Sequence, residues 1–257
     1  MKILCSFFIL VALVHARAET VQGVSNHDPR LLRETVEAGD HTLRYIKVQP
    51  GKIEPGKTYP LVLFLHGAGG RGKDNSGQMK DGGVQHFTRL QDRYPHYLIA
   101  PQVPPGQLWV DTPWKLPEHT MPEEPTTWMR MTLELVDRML KEAPVDAARV
   151  YVTGLSMGGF GTWDAVQRRP ELFAAAVPVC GGGDTAQAPR IKRVPLWITH
   201  GDKDNVVLTK RSRDMVAALR AAGGSPRYEE FPNTGHNAWK PTYSNPKLYT
   251  WLFQQKR

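Results

Sequence analysis

This sequence predicts an α/β fold built on a mostly parallel sheet with helices on both faces. Three observations carry that expectation. Short apolar runs alternate with segments of helical period along most of the chain, which is the pattern of strand–helix–strand crossovers. A serine flanked by glycines, Gly154-Leu155-Ser156-Met157-Gly158, joins a β-branched run to a helical pattern. An acid cluster and a histidine then follow at the ends of later apolar runs, where open α/β sheets place ligand sites.

The first eighteen residues read as a targeting segment rather than as part of the fold. Lys2 opens a nearly uniform apolar run over 3–14, and Ala16-Arg17-Ala18 has the small-x-small form of a cleavage site. The run is too short to span a bilayer, and Cys5 lies inside it rather than at the cut, which argues against a lipid anchor. The expected division is therefore a signal peptide over 1–18 and one catalytic-sized domain over 19–257, secreted or periplasmic. Residues 19–40 mix charges and read as an extended or loosely helical lead-in.

Residues 43–48 alternate and predict a first strand, and the Gly, Pro and Lys of 50–59 predict a turn. The run Leu61-Val62-Leu63-Phe64-Leu65 predicts a central strand buried on both faces. Another short strand over 97–100 is stopped by Pro101. Trp128, Met131, Leu135 and Met139 fall at helical spacing, which predicts a helix over 125–142 bounded by Pro125 and Pro144. A strand over 150–153 enters the serine turn, and a helix leaves it to about residue 169. Strands over 173–179, 195–199 and 227–231 follow. Helices are expected over 209–222, closed by Gly223-Gly224, and over 245–255.

Composition narrows the function. The formal net charge of +8 falls to +6 once Lys2 and Arg17 are removed, and the remaining Lys and Arg are scattered. A solubilising surface accounts for this balance, and no motif for nucleic acid is present. Beyond the targeting segment Cys180 stands alone, so no intrachain disulfide can form and stability must come from a packed core. Cys180 follows an apolar run and reads as a small buried hydrophobe. There is no metal-ligand spacing and no phosphate or dinucleotide loop, so neither metal nor cofactor is expected.

The serine turn carries the chemistry. Gly-x-Ser-x-Gly between strand and helix is a nucleophile elbow, a tight turn that lifts Ser156 above the sheet edge. The amide of Met157, at the helix start, can donate to a developing oxyanion. A serine hydroxyl needs a base, and the base an orienting carboxylate. After Ser156 the chain offers His200-Gly201-Asp202-Lys203-Asp204-Asn205-Val206-Val207 and then Thr234-Gly235-His236, in the order Ser, acid, His.

With Leu63-Phe64-Leu65-His66-Gly67 these segments resemble the α/β-hydrolase superfamily, and within it secreted esterases and predicted peptidases related to dienelactone hydrolases, polyhydroxybutyrate-depolymerase-like esterases and feruloyl esterases. The resemblance runs from about residue 43 to the C-terminus. It implies an α/β-hydrolase fold and a triad of Ser156, Asp204 and His236. Asp204 is preferred to Asp202 because Asp204-Asn205-Val206-Val207 matches the Asp-x-x-Val pattern of the similar enzymes, leaving Asp202 to brace the loop. Leu208 replaces the usual Pro after it. The second oxyanion donor is expected in the loop His66-Gly67-Ala68-Gly69-Gly70, at the amide of Ala68, with His66 and His200 in structural roles.

Seven prolines lie in 101–125, with Trp109 and Trp114 among them and Trp128 just after. Such a stiff loop either stacks aromatic faces on substrate or is itself stapled down by its tryptophans. Trp109, Trp114 and Trp239, which stands three residues past His236, are the candidate substrate contacts. The loop is too short for a large lipase lid. The expected activity is therefore hydrolysis of short-chain or aromatic acyl esters, either on small molecules or on plant polysaccharide as feruloyl or acetyl esters. A serine peptidase of prolyl-oligopeptidase-like type and a non-catalytic binding protein on the same scaffold are the rival readings.

Overall fold

The structure, a computed structural model, describes residues 28–257. The expected signal peptide lies outside the described residues. In chain order the elements are β1 (Leu32–Ala38), β2 (His41–Val48), β3 (Tyr59–Leu65), α1 (Gly83–Arg89), β4 (Tyr97–Gln102), α2 (Thr127–Glu142) and β5 (Val145–Leu155). They continue with α3 (Met157–Arg168), β6 (Ala175–Val179), α4 (Ala188–Ile191), β7 (Trp197–Gly201), α5 (Lys210–Ala221), β8 (Arg227–Phe231), α6 (Trp239–Ser244) and α7 (Pro246–Gln254).

The eight strands form one sheet in the order β1-β2-β4-β3-β5-β6-β7-β8. β2 runs antiparallel to both neighbours, and every pairing from β4 across to β8 is parallel. Parallel strands need helical crossovers, and these cover both faces. β3 shows the consequence most directly. Leu61, Leu63 and Leu65 pack on one face with Met129, Val136 and Trp163, while Val62 and Phe64 pack on the other with Phe87, Tyr243 and Leu252. Each such side chain contributes about 1.5–3 kcal/mol on leaving water, so a disulfide-free domain is held from both sides of the sheet. Cys180 is a free, buried cysteine.

After β3 the chain first steps to β4 on one side and then returns past β3 to β5 on the other. That reversal opens a crevice at the C-terminal ends of β3 and β5. The loop from His66 and the turn at Ser156 are the two segments that leave those ends.

Two expectations change, and one holds. Residues 32–38, read as part of a loose lead-in, form β1, paired antiparallel from Leu32↔Lys47 to Ala38↔His41. Three short helices, α1, α4 and α6, were not expected. The Pro-rich segment after β4 carries neither helix nor strand up to α2, as expected of it, and its course is fixed by side chains described below.

Candidate active site

Ser156 sits between β5 and α3 with φ 55° and ψ −119°. A non-glycine residue with positive φ is strained, and it is held here because its N–H donates to Val179 O at 2.9 Å while Phe160 N–H closes on Ser156 O at 3.1 Å. The flanking glycines are forced by space. A Cβ on Gly158 would lie 1.9 Å from Leu65 O, and one on Gly154 would lie 2.4 Å from Gly158 O. The turn is thus pressed against the end of β3, which brings the His66 loop alongside it.

The structure brings together the three side chains that the sequence separates. Ser156 Oγ donates to His236 Nε2 at 2.7 Å, and His236 Nδ1–H donates to Asp204 Oδ2 at 2.7 Å. The tautomer follows from the carboxylate, which can only accept, leaving Nε2 bare to receive the hydroxyl proton. Burial alone would raise the pKa of Asp204. Hydrogen bonds from His200, His236 and the amides of Val207 and Val206 outweigh it and hold the carboxyl well below its ordinary value. Oδ1 takes both amides, each at 2.9 Å. The acid therefore stays ionised beside the imidazole.

Asp202 is exposed, and its Oδ1 accepts the N–H of Thr234 at 3.0 Å, so it braces the loop that carries His236. That loop lies directly on the end of β7, where a Cβ on Gly201 would meet Thr234 O at 2.3 Å. Acid and histidine loops therefore reach the serine as one packed unit.

Met157 is the first residue of α3, and Ala68 is the first of a single 3-10 turn, Ala68–Gly70. Neither amide has an acceptor within its own helix, which is the situation an oxyanion requires. His66 is fully buried beneath this turn. Its Nδ1–H donates to Gly67 O at 2.6 Å, and its Nε2 accepts Val103 N–H at 3.0 Å. Burial pushes its pKa down to about 4, so the imidazole is neutral and fully engaged.

The tryptophans divide. Trp109 is a correction to the expected substrate contacts. It is fully buried, and its Nε1–H donates to His66 O at 3.0 Å, so it staples the Pro-rich loop to the loop over 66–70 and offers no face to a ligand. Trp128 is also buried and bonds Gln107 Oε1 at 3.1 Å. Trp114 is half-buried, packed against the core, with its ring 6.5 Å from that of Phe160. Trp239, also half-buried, meets the His236 ring edge to face at 5.7 Å.

Several contacts were not anticipated. His200 Nε2 lies 3.2 Å from Asp204 Oδ2, a through-space contact that the His-Gly step does not advertise. Asp81, half-buried ahead of α1, lies beside Gly67. Burial raises its carboxyl pKa, opposed by the Gly67 amide, Lys80 and His236. Arg211 of α5 is buried and holds the Pro-rich loop through Leu116 O at 2.6 Å and His119 Nδ1, its guanidinium 5.0 Å from the Phe160 ring. Among the described residues one trio of metal-ligating types lies together, Cys180, Asp204 and His236. Two of these are committed to the chain of hydrogen bonds above, and burial holds the Cys180 thiol in its protonated form, so the trio does not suit a resident metal.

Solved structures repeat this architecture. A thermostable esterase superposes with a TM-score of 0.82 at 37% identity, over 89% of this chain and 64% of that one. The chain has the α/β-hydrolase fold. A profile of the dienelactone hydrolase family matches residues 120–245, which span α2 through α6. This α/β-hydrolase is 28% identical over 203 residues to a bifunctional acetylxylan esterase/xylanase of Neocallimastix patriciarum, covering 79% of this chain and 27% of that protein. It is 25% identical over 195 residues to a probable carboxylesterase of Oryza sativa subsp. japonica, covering 70% of this chain and 72% of the other.

Proposed function

We propose that this α/β-hydrolase is a serine carboxylic-ester hydrolase that works through an acyl-enzyme. The unbroken relay from Ser156 Oγ through His236 to Asp204, with both links at 2.7 Å, carries the reading. His236 Nε2 takes the hydroxyl proton as Ser156 Oγ attacks the ester carbonyl. The amides of Ala68 and Met157 hold the oxyanion. Asp204 stabilises the imidazolium, which then protonates the leaving alcohol. Water, deprotonated by the same imidazole, attacks the acyl-serine, and the returned proton regenerates the hydroxyl.

Small or polysaccharide-linked esters of short or aromatic acids are the proposed substrates. Resemblance to an acetylxylan esterase supports the acetyl choice, and the similarity to feruloyl esterases in sequence motifs supports the aromatic one. The leader over 1–18 supports export, which intact mass of protein recovered outside the cytoplasm tests. No helix among the described residues is long and apolar enough to cross a membrane.

The decisive experiment is Ser156→Ala against p-nitrophenyl acetate, with a fluorophosphonate probe on the wild-type protein. We expect stoichiometric labelling at Ser156 and a loss of kcat by about 10⁴-fold or more. Wild-type turnover in the variant would refute the reading.

A further inference from the structure

His200 is buried out of solvent and is not used by the chemistry above. Its Nε2 faces two oxygens, Val207 O at 3.1 Å and Asp204 Oδ2 at 3.2 Å. Both only accept, so Nε2 must carry the proton and share it between them. Its Nδ1 lies 2.7 Å from Ser212 Oγ on α5 and accepts that hydroxyl. The arrangement satisfies both ring nitrogens in a neutral imidazole. It also places the Nε2–H of His200 3.2 Å from the same Oδ2 that accepts from His236.

We infer that His200 is a positioning residue of the reaction, a second imidazole that sets the rotation and the basicity of Asp204. The inference rests on the serine-hydrolase reading. Without His200, Oδ1 remains tied to two amides, but Oδ2 keeps only His236 and can swing about the Cβ–Cγ bond. The loss also returns to His236 the share of negative charge that the Nε2–H of His200 had drawn, so the protonated base becomes more favoured. Other titratable groups facing this cluster are Cys180 after β6, Asp81 ahead of α1, and Glu230 on β8, which is paired with Arg213 of α5.

Two amide substitutions separate the halves of the imidazole. In His200→Gln the side-chain amide reaches the place of Nε2 and can donate to Asp204. In His200→Asn it reaches only the place of Nδ1 and Ser212. We expect His200→Asn to lose about 10- to 100-fold in kcat with KM little changed. We also expect its acid limb of kcat/KM to move up by about half a pH unit or more. His200→Gln should recover most of the kcat and return the limb toward its wild-type position. Equal losses in both variants with an unmoved limb would mean that His200 only joins β7 to α5, and would overturn the inference.

A measurement on the unaltered enzyme guards against variants that do not fold. Nitrogen-15 NMR of histidine-labelled wild type should show His200 neutral with its proton on Nε2, and the Nδ1–H tautomer would equally overturn the inference. Fluorophosphonate labelling of wild type keeps the two failures apart. An unlabelled protein defeats the serine-hydrolase reading, whereas a labelled protein with indistinguishable Asn and Gln variants defeats only the role of His200.

Discussion

Replacing Ser156 with Ala and with Gly separates the cost of the elbow from the chemistry done on it. Both changes delete Oγ and its bond to His236, so their difference isolates the backbone. At φ 55° and ψ −119° a residue with a Cβ is strained by about 1–3 kcal/mol. Glycine escapes that strain but gives up about 0.5–1 kcal/mol of chain entropy. The net expectation is that Ser156→Gly is more stable than Ser156→Ala by about 1 kcal/mol. In a domain of this size that corresponds to about 2–4 °C in Tm. Differential scanning calorimetry of the two inactive variants, in the same buffer, reads it directly. An Ala variant that melts at or above the Gly variant would mean that the turn stores no strain, and the account of the elbow given above would be wrong.

Three further outcomes follow from buried groups. His96 is fully buried and its pKa is pushed down to about 4 by burial, against the pull of its bond to Tyr94 O. Its folded value lies below its unfolded one, so the unfolded chain gains a proton first as pH falls from 6.5, and stability drops by about 1.4 kcal/mol per pH unit down to the folded value. His96→Phe should flatten the fall in urea midpoint between pH 6.5 and 4.5, with the like components from His66, His119 and His86 remaining; an unchanged slope would refute the assignment. Arg211→Met should cost about 1–3 kcal/mol through the lost bonds to Leu116 O and His119. It should also speed protease cutting within 113–121, and wild-type resistance there would show that Arg211 does not hold the loop. Gly158→Ala puts a carbon where Leu65 O already sits, at 1.9 Å, and should abolish soluble expression or cost more than about 4 kcal/mol; a variant of normal Tm would contradict that close approach.

The legible parts of this protein were those written in local pattern. β3 is a continuous apolar run because both its faces are covered, and β8 spans 227–231 as its alternation indicates. The residues proposed as the triad could be named because each follows a strand, and the sheet delivers strand ends to one rim. β1 escaped because it is an edge strand. Its alternate residues are only partly buried, and Arg33, Glu34 and Glu37 dilute the pattern. α1 and α6 are short, and α6 contains Pro241, so neither shows a full helical period. Trp109 and Trp114 stand five residues apart in the same Pro-rich stretch, yet one is sealed under the loop over 66–70 and the other lies partly open. That choice depends on which tryptophan reaches the carbonyl of His66, a distance that no spacing encodes. The second histidine at Asp204 was hidden as well, since the contact forms only when the loop after β7 folds back over the ring of His200.

Between residues 116 and 123 the Pro-rich segment is held largely through its peptide groups. Arg168 reaches Pro122 O at 2.7 Å and Glu123 O at 2.9 Å, Asp184 receives the N–H of Met121 at 3.0 Å, and Arg211 reaches Leu116 O. A carbonyl or amide is present whatever side chain stands beside it. The path of this stretch can therefore survive wholesale rewriting of its outward-facing letters, which leaves 111–124 open to diversification by evolution or by library selection while the framework beneath stays as it is.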